Sequence, residues 1–193
     1  MRKPTNRDKL LARGLRVVHQ RGLAGASVRD IVQAAGVPQG SFSNHFASKE
    51  AFGVEILDLY FGFTRKVLAA TLDNTDLAPL KRLEAYIDAN QAFLDQWGVE
   101  NGCLYGTYAA EITGHDEPIR RRLVEIFHVL QDSLTACLRA AVKAGDLPKD
   151  FDCNVVGEFI LSSLQGAILL SKGRRDTAPI TKFKRVLFSA VLR

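Results

Sequence analysis

Between Ser27 and Phe52 the chain reads SVRDIVQAAGVPQGSFSNHFASKEAF, and the helix starts and stops in this stretch are spaced too closely for any fold but a compact helical module. Ser27 stands where a helix N-cap belongs, and Asp30 three residues on adds negative charge near the positive helix end. Val28, Ile31, Val32 and Ala35 recur at helical spacing and give that helix one apolar face. Gly36 stops it, and Val37 can pack back into the core through the turn. Pro38 opens a second helix where its missing N–H costs nothing, so only about four residues separate one helix from the next. Two helices joined this tightly predict a helix-turn-helix.

The second helix, expected from Pro38 to Asn44, is too short to stand alone and must be held by Phe42 and Phe46. Its outer face is then Gln39, Gly40, Ser41, Ser43 and Asn44. Gly40 allows close backbone approach, and the others are compact hydrogen-bonding groups of the kind that read base edges and phosphates. Ser48 caps a long following helix, with Lys49 and Glu50 in its first turn. A lysine at the positive end of a helix is unfavourable unless an anion lies nearby, and a DNA phosphate would be such an anion.

The order Gly36-Val37-Pro38-x-Gly40-Ser41-Phe42, then His45-Phe46, then Ser48-Lys49-Glu50-Ala51-Phe52 resembles the DNA-binding domain of the TetR family of one-component repressors. That resemblance implies an all-α fold: a three-helix DNA-binding domain with a helix-turn-helix over residues 1–48, then a helical ligand-binding and dimerisation domain over 49–193. It also implies a DNA-contacting set of Ser27, Val28, Gln39, Gly40, Ser41, Ser43, Asn44, His45 and Lys49. Ser43 departs from the pattern, because the family usually carries an aromatic there, commonly a phosphate-contacting Tyr. Gln39 replaces a small or basic residue and can pair bidentately with adenine.

Charge is distributed accordingly. Residues 1–50 hold nine Lys or Arg against three Asp or Glu, so the formal net charge of +5 resides in this end and the remainder is close to neutral. Basic charge concentrated on a helix-turn-helix is an electrostatic footprint for DNA. Met1 to Lys9 is polar and charged, with no apolar run after it, and implies the cytoplasm. The most apolar stretch, Val155 to Leu170, is interrupted by Gly, Glu, Ser and Gln, and reads as too short and polar for a membrane span. Cys103, Cys137 and Cys153 lack metal-ligand spacing and read as reduced thiols.

Further helices are expected at Arg7–Gln20, Lys49–Leu72, Pro79–Trp97, Cys103–Thr113 with a stop at Gly114, Pro118–Ala144, Asp152–Lys172 and Pro179–Leu192. The second of these is long enough to act as a rigid rod between the DNA-reading module and the rest. The Asp152–Lys172 helix is apolar on nearly all sides, with Val155, Val156, Phe159, Ile160, Leu164, Ile168 and Leu169, which suits a helix shared between two chains. A homodimer also meets the needs of DNA reading. Two short recognition helices about 34 Å apart on a twofold axis reach successive major grooves of a palindrome.

No catalytic constellation is present. Glu125 and His128 form a Glu-x-x-His pair, but the chain has no second copy to build a di-iron site, and His19, His45 and His115 are scattered. Neither a phosphate-binding Gly-Lys loop nor a nucleophile elbow occurs, so no metal, no cofactor and no enzyme is expected. The remaining alternatives are a DNA-binding accessory protein without a ligand and a helical-bundle enzyme. Phe61, Phe93, Trp97, Tyr105, Tyr108 and Phe127 are spread over the second domain and would suit an apolar pocket for a small-molecule effector, or plain core. Cys103 follows Asn101-Gly102 at a helix start, where the dipole favours thiolate. The stretch NGCLYGTYAAE resembles a branch of the TetR family with Gly-Cys-Leu-x-Gly here and a Lys near the end of the penultimate helix, matched by Lys172. That branch includes repressors responding to electrophiles and oxidants, so Cys103 and Lys172 are the candidate sensing pair.

Overall fold

A computed structural model describes residues 3–113 and 116–193, so the helix stop expected at Gly114 and the histidine at His115 lie outside the described residues. All regular structure among the described residues is helical. It comprises α1 (Asn6–Gly25), α2 (Val28–Ala35), α3 (Ser41–His45), α4 (Lys49–Ala70), α5 (Pro79–Trp97), α6 (Leu104–Glu111), α7 (Glu117–Ala144), α8 (Cys153–Arg174) and α9 (Ala178–Val186), with a π-helical turn at Leu187–Val191. The chain forms two compact units, one of residues up to Phe63 with Leu104–Glu125, the other of Thr64–Cys103 with Ile126–Arg193.

The first unit holds the helix-turn-helix. Thr5 and Asp8 cap α1 reciprocally, and Ser27 and Asp30 do the same for α2, the Ser27 hydroxyl accepting from the Asp30 N–H at 3.1 Å while the Asp30 carboxylate accepts from the Ser27 N–H at 3.1 Å. That carboxyl is held below its ordinary pKa, chiefly by the hydrogen bonds from Ser27 and then by Arg21. Gly36 closes α2 in the left-handed conformation at φ 62°, and the Val37 N–H turns back to the Val32 carbonyl. Helix α1 runs beyond the expected end at Gln20, passing through a kink at Gly22 (φ 75°, ψ 168°) to Gly25.

Pro38 does not start α3. It opens a turn closed by the Ser41 N–H on the Pro38 carbonyl at 2.9 Å, and the helix proper spans five residues from Ser41. Such a helix has almost no stability of its own. An aromatic triangle supplies it: Phe42, Phe46 and Phe52 lie 4.9–5.2 Å apart between ring centroids and are all buried. Gly14 makes room for this cluster, since a Cβ on it would fall 2.4 Å from the Phe52 ring. Helix α6 packs in the same unit, with the Tyr108 hydroxyl donating to the Gly53 carbonyl at 3.2 Å and Tyr105 edge-on to Tyr60, which is itself edge-on to His19.

The second unit is a helical layer around Leu83, Ile87, Leu134, Leu138, Ile160, Leu164 and Ile180, all buried. Lys184 of α9 is bound to Asp88 at 2.6 Å and Glu84 at 3.2 Å on α5. Helix α8 divides into two faces. Ile160, Leu164 and Ile168 enter the chain's own core, while Val155, Phe159, Leu169 and Leu170 are exposed together with Ser162 and Gly166. Within α8, 22 residues long, an 18-residue window reaches a mean hydropathy of 1.5, enough to cross a membrane by length and composition alone, a test that the core helix of a folded protein also passes. The helix extends past both ends of residues 155–170, and the core-facing side accounts for much of its hydropathy.

Candidate DNA interface and sensing residues

The turn and helix from Gln39 to His45 present Gln39, Gly40, Ser43, Asn44 and His45 to solvent. Ser41 is turned inward and only 6% exposed, contrary to its expected place on the outer face. The late helix start explains this: with Gly40 as N-cap, Ser41 falls on the same inner side as Phe42. Ser43 is exposed, and its hydroxyl donates to the Gly40 carbonyl at 3.1 Å. Ser27 is exposed with its oxygen engaged in the cap, and Val28 is half-buried. Lys49 does not project freely into solvent. Its ammonium donates to the Ala24 carbonyl at 3.1 Å, where a cation satisfies an acceptor at the end of α1. Arg7, on the basic first helix, pairs with Glu55 and lies over the Phe46 ring at 5.6 Å.

Sequence reasoning missed Glu111. Its carboxylate accepts the N–H groups of Leu23 at 2.8 Å and Ala24 at 3.1 Å, directly after the Gly22 kink. The Gly22 break was visible in the sequence, but nothing in it named a carboxylate 88 residues away as the cap.

The sensing candidates fall into two groups. Phe61, Tyr105 and Tyr108 belong to the first unit and are buried, Phe61 lying under the Arg122 guanidinium at 5.3 Å. Phe93, Trp97, Cys103, Phe127 and Lys172 belong to the second. There Phe93 and Trp97 stack at 6.1 Å, and Trp97 is exposed. Cys103 is half-buried and directly precedes α6, so the helix begins one residue later than expected. Lys172 does come close: a Cβ on Gly102, which holds φ 65°, would lie 3.0 Å from the Lys172 Cδ. Tyr86 belongs to the same neighbourhood, its hydroxyl pushed up to about 12 mainly by burial, with Cys103 adding to the shift. Cys137 is a different kind of thiol, buried against the Pro79 carbonyl and raised to about 11 by desolvation.

An open cavity of about 260 Å³ lies in the first unit between Leu23, Ile112 and Ile119 and the charged groups of Lys49, Glu50, Glu111 and Asp116. Of the expected pocket aromatics it includes Tyr108 alone.

With this geometry in place, the sequence relatives become informative. Residues 10–56, which contain α2, the turn and α3, match the domain described as bacterial regulatory proteins, tetR family, and residues 79–187 match the tetracyclin repressor-like C-terminal domain. The chain belongs to the TetR family. It is thus a DNA-binding transcriptional regulator, in a family of regulators rather than enzymes. Among TetR-family relatives it is 34% identical to the HTH-type transcriptional repressor DhaR of Mycobacterium sp. (strain GP1), over 96% of this chain and 92% of that one. It is 33% identical to the repressor NemR of Escherichia coli (strain K12) over 59% of this chain and 57% of that one. The fold superposes on a crystal structure of regulatory protein TetR from Rhodobacter sphaeroides with a TM-score of 0.89 at 27% identity, covering 94% of this chain and 96% of that one. A crystal structure of E. coli NemR in its reduced form gives 0.82 at 26% identity, covering 92% of both.

Proposed function

We propose that this regulator is a cytoplasmic homodimeric repressor that binds a palindromic operator and is released by a small electrophile or oxidant acting at Cys103. In this reading residues 1–48 read DNA, and residues 49–193 pair the chains and receive the effector. The observation that carries the DNA half is the exposed row Gln39, Gly40, Ser43, Asn44 and His45 on the turn and helix of the family's reading motif. The sensing half is supported by the approach of the Lys172 stem to Gly102 beside Cys103, and by the likeness to a relative crystallised in a reduced form. Release is a population shift. An effector favouring the conformation with misplaced reading heads lowers operator affinity by the factor its own affinity gains.

Gln39→Ala is expected to cost about 1 to 3 kcal/mol of operator affinity, with relaxed preference at one base pair per half-site. Binding to single-base operator variants checks this, and uniform weakening would reassign Gln39 to phosphate. Lys49→Ala is expected to weaken every sequence alike and to lower the salt slope by up to about one unit. An unchanged slope would leave Lys49 with its internal bond to Ala24 alone.

Operator release by N-ethylmaleimide tests the sensor. The Cys103 thiolate adds to the activated double bond, water protonates the neighbouring carbon, and the added bulk forces repacking in a dense interior. Release is expected in wild type and in Cys137→Ser/Cys153→Ser, and is expected to vanish in Cys103→Ser. Cys137 should stay unmodified at neutral pH, because burial raises its thiol to about 11 and leaves little thiolate. Full release in Cys103→Ser would leave a noncovalent effector as the better reading.

A further inference from the structure

The peptide groups at the end of α1 are gripped from two sides within the first unit. Glu111, the last residue of α6, accepts the N–H groups of Leu23 and Ala24, and Lys49, the first residue of α4, donates to the Ala24 carbonyl. Those N–H groups are orphans of the Gly22 kink, because a backbone at φ 75°, ψ 168° breaks the α-helical ladder and exposes the donors that follow. The fit is close enough to exclude a side chain at position 22, where a Cβ would fall 1.6 Å from a Glu111 carboxylate oxygen. Three residues beyond Ala24 the chain reaches the Ser27 cap of α2, and α2 leads to the turn and α3. The direction of the reading motif is thus set at Leu23–Ala24, where short backbone segments would otherwise pivot.

We propose that Glu111 is a positioning residue for DNA recognition: its carboxylate fixes the turn from which α2 and α3 project, so that α6 sets the aim of the reading head. No DNA contact is required of it. Hydrogen bonds to a carboxylate are stronger than neutral ones, and two on adjacent N–H groups define a direction as well as a distance. Rows of aromatic contacts from Tyr105 through Tyr60 to His19, and the Tyr108 bond to Gly53, seat the rest of α6 on α4 and α1. Glu111 therefore sits at the end of a helix that is otherwise fixed, and its grip is transmitted without slack. This inference stands on the DNA-binding activity alone and does not depend on Cys103.

The test compares Glu111→Gln, which keeps an acceptor oxygen, with Glu111→Met, which keeps the length and loses it. Binding is measured to a 30-base-pair duplex selected by the wild-type protein from a random pool. Met is expected to lose about tenfold in affinity, equivalent to about 1.4 kcal/mol, with an unchanged salt slope, and Gln to retain most of it. Gly22→Ala should reproduce the Met variant by displacing the carboxylate, and the two together should cost less than the product of the single losses. Amide exchange at Leu23 and Ala24 should accelerate in Met and Gly22→Ala more than exchange at Ile31 or Phe42. Equal losses in Gln and Met, wild-type affinity in Met, or a shallower salt slope would each overturn the proposal. Should the Met variant fail to fold, exchange in the unaltered protein decides: the two amides are expected to be protected and to slow further on DNA, and exchange at open-chain rates with no response to DNA would overturn it.

Discussion

Leu169→Glu is expected to give a folded chain that no longer pairs. Leu169 is 69% exposed within one chain, and Val155, Phe159 and Leu170 are exposed along the same helix, α8. So much apolar surface on one helix calls for a cover, and a second copy of the same face about a twofold axis is the cover that the proposed homodimer would supply. A carboxylate there would be desolvated without a partner and would face the partner's like charge. Leu164→Glu on the same helix would behave differently. Leu164 is 1% exposed and belongs to the chain's own core, so that substitution should unfold the second unit instead of parting two chains. Sedimentation should show monomers for Leu169→Glu with the thermal transition of α-helical structure retained, and operator affinity should fall by about 100-fold or more, because the second head loses its effective concentration. A dimer of normal stability in the Leu169→Glu variant would move the pairing face elsewhere.

Phe52→Ala is expected to destabilise the first unit by about 3 to 5 kcal/mol, the usual cost of emptying a buried aromatic site. Phe52 is fully buried and contacts both Phe42 and Phe46, and the α1 backbone at Gly14 fits against its ring. The effect should reach function by a short route. Five residues of α3 cannot hold a helix without that triangle, so the Gln39–His45 row would lose its fixed geometry before the second unit is disturbed. Denaturant unfolding followed by amide exchange should show a separate early transition in residues 27–52. A single transition at the wild-type midpoint would mean that the cavity collapses and the ring is dispensable.

Most of the fold was legible because helix punctuation is a local signal. Ser27 with Asp30, Gly36 and Ser48 each act within four residues, and each forms the cap or stop its sequence position predicts. The start of α3 lies three residues later than the sequence suggests, because Pro38 is equally suited to a tight turn and to a helix start. A helix begun at Pro38 would carry Ser41 outward, whereas the structure buries it. Glu111 was invisible for the opposite reason: it acts across 88 positions, and neither periodicity nor spacing encodes such a bond. The residues of the proposed sensing set are brought together only in part. Cys103 and Lys172 belong to one neighbourhood of one unit, whereas Phe61, Tyr105 and Tyr108 have packing roles in the other, because a large ring satisfies a core and a pocket with the same composition.

The bond from Lys49 to the Ala24 carbonyl has a consequence for how long the protein stays on DNA. Were Lys49 to turn from that carbonyl to a phosphate, as a DNA contact at this position could require, binding would exchange one acceptor for another and gain only the difference. In the reverse direction the ammonium has somewhere to go as the phosphate departs, and the barrier to leaving is lowered. Affinity differences among related complexes reside mostly in the dissociation rate. On the proposed reading, in which Lys49 meets a phosphate, an ammonium provided with its own resting place would favour short residence on DNA and let occupancy track the effector promptly instead of lagging behind it.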